Sequence, residues 1–502
     1  MNLGLTIRDD AGPIYQQLFD QIADRVRTGA WPAGYRLPAT RALAGELRTH
    51  RNTVVRAFEE LTAAGYLVSV VGRGTFVAER PALRPREAPS NGGLPWASLL
   101  SRATEAEPIA RIERYRRSSL PSGAVNLTRM QPSPELLPHT MLRRCVDHVL
   151  RTLGPLALGY APREGVLALR EQLARELAER GVPARADDIL VTTGSQQALD
   201  VISRALVNPG DRFLVDGTTY AGALHLLVLA GAQVLGVPSD EEGPDLAWLR
   251  RLSRGDVKGL YVMPNCHNPT GLSISSERRR ALVAWSHEVG VPIIEDDYGA
   301  DLELDGVPAP PYLRALDSEV IYVSTFSKKL IPALRVGFVV CPPALREPLV
   351  SLKHAMDLGT SALLQYSLAE FLERGYLKRH YAEVLPEYRR RRDALVEALQ
   401  RHLPAEVTFS VPPRGVVIWL RLPPDLDPEE VHDAARREGV VISPSTLHAV
   451  GRDHGGARLT FCAEPAERLA EGARRLGRAI DNLRREPHRR RQRPASPVAY
   501  GV

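Results

Sequence analysis

The sequence predicts two fold classes in one chain: a small α+β domain over residues 1–80, and an α/β domain with a mostly parallel central sheet over residues 122–485. Three observations predict it. At 502 residues the chain is long enough for two to four domains. Its first eighty residues pass from apolar residues at helical spacing to two short strand-like runs about a glycine-flanked turn. Farther on, apolar strand-like runs alternate with longer helical patterns, the signature of a parallel α/β sheet.

Composition narrows the class. With 44% hydrophobic and 25% charged residues the chain reads as a soluble globular protein with material for a large core. The longest apolar run, Ala223 to Val237, contains His225 and Gln233 and is too short to cross a bilayer. No basic stretch followed by an apolar one opens the sequence, so no secretory signal is expected. Cys145, Cys266, Cys341 and Cys462 are scattered without C-x-x-C spacing. That argues against a zinc site or a disulfide framework, fits a reducing cytoplasm, and leaves no metal expected. Net charge is +6, which permits nucleic-acid binding without requiring it. Six arginines lie in RREPHRRRQR, Arg484 to Arg493, and residues 486–502 read as a disordered basic tail.

In the first eighty residues, Ile14, Leu18, Ile22 and Val26 make one apolar stripe on a helix that Pro13 opens. RLPATRALAGEL follows, with Thr40 as the expected N-cap and Leu43 and Leu47 on the apolar face. HRNTVVRAFEELTAAGYL carries Val54, Phe58 and Leu61 at helical spacing. YLVSVV, GRG and TFVAE then read as two strands about a turn. Helix, helix, turn, helix and hairpin is the plan of a winged helix-turn-helix, whose third helix points its N-terminal residues at base edges in the major groove. Those residues are His50, Arg51, Asn52 and Thr53, with Arg56 one turn on and Arg41 on the preceding helix. Arg and Asn can make bidentate contacts to guanine and adenine. Arg73, between two glycines, is placed to approach a phosphate or the minor groove.

This segment, about Pro13 to Glu79, resembles the GntR-family DNA-binding domain: PIYQQL, RLPATRALA, RNTVVRAFEEL, AGYL and GRGTFV fall in order. His50 stands where the family usually has Ser. Residues 1–80 hold ten Arg/Lys against eight Asp/Glu, so affinity is expected from placement and dimerisation, not bulk charge.

Residues 81–121, rich in Pro, Gly and Ser, read as a flexible linker, with a short helix expected at Trp96 to Thr104 or Ile109 to Arg117. The large domain then presents DILVTTG, DRFLVDG, GLYVMP, VPIIEDD, VIYVSTF and RVGFVVC as strands. Ligands of such sheets bind at the carboxyl ends of strands, so residues just after these runs are the candidates. After DILVTT, Gly194 turns the chain and Ser195 opens a helix whose free N–H groups suit a phosphate. VPIIEDDY puts Asp296 and Asp297 at a strand end, able to hold a metal, act as acid and base, or partner a cationic ring nitrogen. NPTG (Asn268 to Gly271) is a turn by composition. After VIYVSTF come Ser327 and Lys328, where burial would depress the lysine pKa and give the amine nucleophile a Schiff base needs. Arg335, with Thr325 and Ser327, suits a phosphate. Lys329, on another bearing, is expected beside the site or facing solvent.

In order, GSQQALD, Tyr220, HNPTG, EDDY, TFSK with PALRVGF, and RLTF resemble the fold-type I pyridoxal-phosphate proteins of the aspartate-aminotransferase superfamily. The resemblance runs across roughly Val125 to Leu483. It implies pyridoxal 5'-phosphate as cofactor with Lys328 as its Schiff-base lysine. Ser195, Gln196, Thr325, Ser327 and Arg335 would hold the phosphate, with Tyr160 reaching it from the other subunit. Tyr220 would stack on the ring, Asp296 pair with its nitrogen, and Asn268 and Tyr298 bond its phenolic oxygen. Arg458 would receive an effector or substrate carboxylate. Asp296 is placed ahead of Asp297 because it lies two residues before Tyr298. Arg129-Met130 replaces a Gly-Gly pair of related aminotransferases, and Gly222 stands where GABA-responsive relatives carry arginine.

A GntR-like winged helix joined to such a domain resembles the MocR family of bacterial regulators. The resemblance implies a cytoplasmic, homodimeric transcription factor on double-stranded operator DNA. Its small-molecule effector would be pyridoxal phosphate itself, as in family members governing vitamin B6 synthesis, or an amine or amino acid joining the cofactor as an external aldimine. The other reading is a working aminotransferase carrying a DNA-binding module.

Overall fold

The structure is a computed structural model of the chain. It describes residues 5–7, 13–27, 30–47, 49–63, 66–70, 74–78, 94, 96–101, 104, 115, 123–451 and 453–485. Two compact units result, Met1–Arg102 and Ala103–Val502. Most of the expected linker (81–121) and all of the expected tail (486–502) lie outside the described residues.

In the first unit, α1 (Ile14–Arg27), α2 (Thr40–Glu46) and α3 (Arg51–Ala63) precede a hairpin of β1 (Leu67–Val70) and β2 (Gly74–Val77). The hairpin is antiparallel, with Leu67 opposite Val77. The stripe at helical spacing is the core: Leu18 and Ile22 of α1, Leu43 of α2 and Val54, Phe58 and Leu61 of α3 are buried together with Tyr66 and Val77. Pro13 serves α1 by accepting the N–H groups of Gln16 and Gln17 on its carbonyl. Thr40 is not a cap. The extended backbone ends at Ala39 (ψ 141°), which has no capping side chain, so Thr40 is already helical and its hydroxyl is past the cap position. The short helix after the hairpin is Trp96–Leu99.

The second unit is built on seven strands: β3 (Ile189–Thr192), β4 (Arg212–Asp216), β5 (Gln233–Val237), β6 (Leu260–Val262), β7 (Ile293–Asp297), β8 (Ile321–Thr325) and β9 (Gly337–Val340). Their order is β3-β9-β8-β7-β6-β4-β5. All neighbours are parallel except β9, antiparallel to both β8 and β3. The run RVGFVVC is therefore the one reversed strand, and the sheet is mostly parallel. Residues buried all along β3, β6, β7, β8 and β9 explain why these runs are continuously apolar and not alternating. Register then sets the site. Gly337 lies opposite both Thr192 and Thr325, and Asp297 lies opposite Ser324, so the carboxyl ends of β3, β7 and β8 form one rim. Helix α4 (Ser195–Leu206) leaves that rim from β3.

A four-stranded antiparallel sheet packs beyond it: β10 (Thr408–Phe409), β11 (Val417–Arg421), β12 (Ser443–Pro444) and β13 (Gly456–Thr460), in the order β10-β11-β13-β12. The long helices α5 (Tyr376–His402) and α6 (Ala466–Arg485) share its core through Leu395, Leu399, Leu469 and Leu476. Among the described residues no helix is long and apolar enough to cross a membrane.

Candidate functional site

At the rim, the turn after β3 gathers hydrogen-bond donors. Gly194 takes φ 84°, where a side chain would be strained, and its missing Cβ would stand 2.9 Å from Arg335 Nη2. Arg335, itself left-handed at φ 50°, donates to the Thr193 carbonyl at 3.2 Å and to Ser327 Oγ at 3.4 Å. Thr325 Oγ1 donates to Ser327 Oγ at 3.2 Å and accepts the Ser327 N–H. Beside them Ser195 begins α4 with its first N–H groups free of intrahelical partners. The structure thus brings Ser195, Thr325, Ser327 and Arg335 together around one positive, donor-rich corner. Gln196, one residue into the helix, holds Tyr220, accepting its hydroxyl at 3.2 Å and donating to the Gly222 carbonyl at 3.1 Å.

The two aspartates at the end of β7 divide cleanly. Asp297 is fully engaged: Oδ1 accepts the N–H groups of Gly299 and Ala300, and Oδ2 accepts the Tyr322 hydroxyl at 2.6 Å. Asp296 receives one bond, from the Tyr261 hydroxyl at 2.7 Å, and its buried Oδ1 has no partner. Burial pushes the Asp296 carboxyl up to about 7, the Tyr261 bond opposing and the Asp297 charge adding. The Tyr298 hydroxyl is likewise buried without a partner. Burial drives it far above the ordinary phenol range. Arg458, on β13, donates to Asn268 Oδ1 at 2.8 Å and to the Thr128 carbonyl at 3.2 Å, while its Nε stays unpartnered.

Lys328 is half-buried, and among the described residues its amine makes no hydrogen bond or ion pair. Burial pulls its pKa down. Cys462 opposes this fall, and the Arg458 and Arg335 cations add to it. Lys329 does not face solvent. It is 2% exposed and its ammonium pairs with Asp301 at 3.2 Å, because the turn after β8 aims it into the protein. Tyr160 is 86% exposed. Arg129 is exposed, and Met130 packs on the core.

On the first unit, Arg41, His50, Arg51 and Asn52 are exposed and Thr53 is half-buried, the last donating its N–H to the His50 carbonyl at 3.0 Å. Arg56 is held within the domain: its guanidinium lies 3.8 Å from the Tyr15 ring centroid and pairs with Glu60 at 3.2 Å. Arg73 lies outside the described residues.

Five participants escaped the sequence reading. Tyr261 lies opposite Ile294, two residues from Asp296 and so on the same face. Its role depends on β6 pairing with β7. Thr128 enters through a backbone carbonyl, which no side-chain motif marks. Asp301, Arg180 and Tyr381 gather about Lys329 from positions far apart in the chain, and only EDDYGAD, with its third aspartate, hinted at one of them.

Residues 137–476 match the family model "Aminotransferase class I and II", and residues 14–77 match "Bacterial regulatory proteins, gntR family". The uncharacterized HTH-type transcriptional regulator YdfD of Bacillus subtilis is 30% identical over 94% of this chain and 97% of its own. The probable rhizopine catabolism regulatory protein MocR of Rhizobium meliloti is 31% identical over 94% and 95%. A 2-aminoadipate transaminase of Thermus thermophilus is 34% identical over 78% of this chain and 98% of its own. Among solved structures, Thermus thermophilus LysN, an alpha-aminoadipate aminotransferase complexed with N-(5'-phosphopyridoxyl)-L-leucine, superposes with a TM-score of 0.70 at 32% identity, over 78% and 99% of the two chains.

Proposed function

The chain belongs to the aminotransferase class I and II family and carries a gntR-family domain ahead of it, and from that premise we propose a transcription regulator whose grip on operator DNA is set by pyridoxal 5'-phosphate. The regulator class and the cofactor follow from the family.

The residues fit the cofactor. An unpartnered, buried Asp296 oxygen suits a cationic ring nitrogen, and a turn whose left-handed Gly194 would strain any side chain suits a phosphate against Ser195, Thr325, Ser327 and Arg335. When bound, pyridoxal phosphate supplies an aldehyde that joins a primary amine reversibly and a ring that withdraws electrons. Lys328, its pKa lowered by burial, offers that amine in reactive form. Gln196 and Tyr220 border the ring, Asn268 and Tyr298 its phenolic side, and Arg458 the carboxylate of an incoming amino acid. Tyr160 serves the site of the other copy in a homodimer. The carrying observation is Lys328 itself, half-buried and, among the described residues, without a partner, with its pKa pulled down by burial and by the Arg458 and Arg335 cations.

Loading of the cofactor is the favoured signal, with an amine that displaces Lys328 as the other. Gly222 supplies no cation for a GABA carboxylate. A Cβ there would stand 2.4 Å from the Tyr220 ring. Coupling requires that the ligand favour one of two conformations of the protein. Arg51 and Asn52 read bases in cytoplasmic double-stranded DNA, and genes of vitamin B6 metabolism are the first targets to test. Footprinting the chain on its own upstream intergenic DNA, with and without pyridoxal phosphate, should show cofactor-dependent protection that Lys328→Ala abolishes. Protection indifferent to both overturns the proposal.

The complete set of donors also supports transaminase turnover, with Lys328 as general base. Amino acids would then convert the cofactor absorbance rapidly and 2-oxo acids restore it. A shift without turnover favours the sensor.

A further inference from the structure

Two adjacent primary amines follow β8, and the site has use for one. Phe326 to Leu330 close a single helical turn, the Leu330 N–H donating to the Phe326 carbonyl at 3.0 Å. Successive side chains in such a turn diverge by about 100°. Lys328 emerges half-buried among the site residues, whereas Lys329 is driven inward. There its Nζ lies 3.2 Å from Asp301 Oδ2, 3.3 Å from Ser324 Oγ and 5.3 Å from the Phe326 ring centroid. The same Asp301 oxygen is gripped by Arg180 Nη2 at 2.8 Å and by the Tyr381 hydroxyl at 2.6 Å. Arg180 follows the helix Leu167–Glu179, Tyr381 belongs to α5 and Asp301 follows β7. The carboxylate is anchored from separate elements and cannot follow a lysine that swings away. Burial works against the Asp301 charge, but Arg180 and Lys329 together hold its pKa well below the usual carboxylate range.

We propose that Asp301, anchored by Arg180 and Tyr381, is a positioning residue that holds Lys329 as a paired ammonium inside the protein, so that Lys328 is the amine that bonds the cofactor. The inference rests on the pyridoxal-phosphate reading of the site. In the bond-forming step the neutral Lys328 amine adds its lone pair to the aldehyde carbon. Its two N–H protons leave with the carbonyl oxygen as water, and C=N replaces C=O with no change in oxidation state. Burial lowers the Lys329 pKa as it does that of Lys328, but at Lys329 the Asp301 charge opposes it, and an ammonium paired with Asp301 has no lone pair to add. The second lysine is thus a structural cation whose chemistry is suppressed by its partner.

The test reads amines directly, without the cofactor. Full-length cofactor-free protein is trace-labelled with acetic anhydride, and each lysine is quantified by peptide mass spectrometry. Lys328 should react about tenfold or more faster than Lys329, and Asp301→Asn should raise Lys329 by a similar factor. Lys353, buried and paired with Asp357 at 3.0 Å, should stay protected and so report an intact fold. Equal labelling of both lysines in the native chain overturns the proposal, as does continued protection of Lys329 in Asp301→Asn. Should that variant also unmask Lys353, Lys328→Ala decides, because it leaves Asp301 in place. Soaked with pyridoxal phosphate and reduced with borohydride, it should carry no label on Lys329, and a label there overturns the proposal. Absence of any borohydride label on the native chain would instead defeat the parent reading, while the acetylation result still stands on its own.

Discussion

At Asp296 the expense of ionising a buried carboxylate is set against a single hydrogen bond. Its pKa of about 7 lies above the unfolded value of about 4. The folded chain therefore holds this proton longer than the unfolded one. That contribution to stability is complete below about pH 4 and is lost as pH rises through about 7. Glu295, raised to about 7 by burial despite the Leu313 and Arg314 N–H groups, acts in the same direction. The cofactor-free protein should melt lower at about pH 8 than at about pH 5, and Asp296→Asn should flatten the slope without abolishing it. Identical slopes in thermal unfolding would refute the assignment. Replacing Lys328 with Ala should remove the cofactor absorbance and leave helicity intact; normal absorbance through Lys329 would count against it. Arg51→Ala should cost ~1–3 kcal/mol of specific operator binding if it reads a base. An equal loss on every sequence would make it a phosphate contact. The spacing to Tyr298 puts Asp296 ahead of Asp297, and the two differ in their partners: Asp297 engages both oxygens with Gly299, Ala300 and Tyr322, whereas Asp296 keeps one without a partner.

Among the elements, β9 and α4 meet without room for a methyl group. A Cβ on Gly337 would lie 2.7 Å from the Gly194 carbonyl carbon and 2.7 Å from the Ser195 nitrogen, both backbone atoms. Neither can rotate away, so Gly337→Ala should destabilise by ~1–3 kcal/mol through overpacking. It should also loosen that donor-rich corner, and the checks are the melting temperature and a cofactor titration. Unchanged values for both would show that the rim tolerates displacement. Strand positions were readable because buried parallel strands are continuously apolar. The reversal of β9 was not, since direction depends on which neighbour a strand pairs with. The same pairing explains why Tyr261 went unseen: nothing within YVMP reports that an aspartate lies diagonally across on β7.

For the whole molecule, the exposed apolar residues Leu156, Leu158 and Tyr160 fall in one short stretch, the kind of patch that marks an interaction surface. If Tyr160 serves the other copy's site, Tyr160→Ala and Lys328→Ala chains should complement when mixed. Random pairing in a two-fold dimer would restore about a quarter of the full-affinity sites. A site built within one chain would gain none, and cofactor binding to the mixture measures the difference. The near balance of charge in residues 1–80, ten basic against eight acidic, also predicts a salt dependence of operator binding set by a few phosphate contacts.

The sequence by itself determined both domain classes, the order of the motifs, the buried stripe of the three helices and the residue types at each strand end. These are local properties, carried by periods of 2 and 3.6 residues and by short spacings. The tertiary structure decided which aspartate keeps a free oxygen, which of two neighbouring lysines is left without a partner, and that Tyr261 and Asp301 take part at all. Those outcomes depend on desolvation and on partners far away in the chain, and such neighbours exist only once the elements have packed.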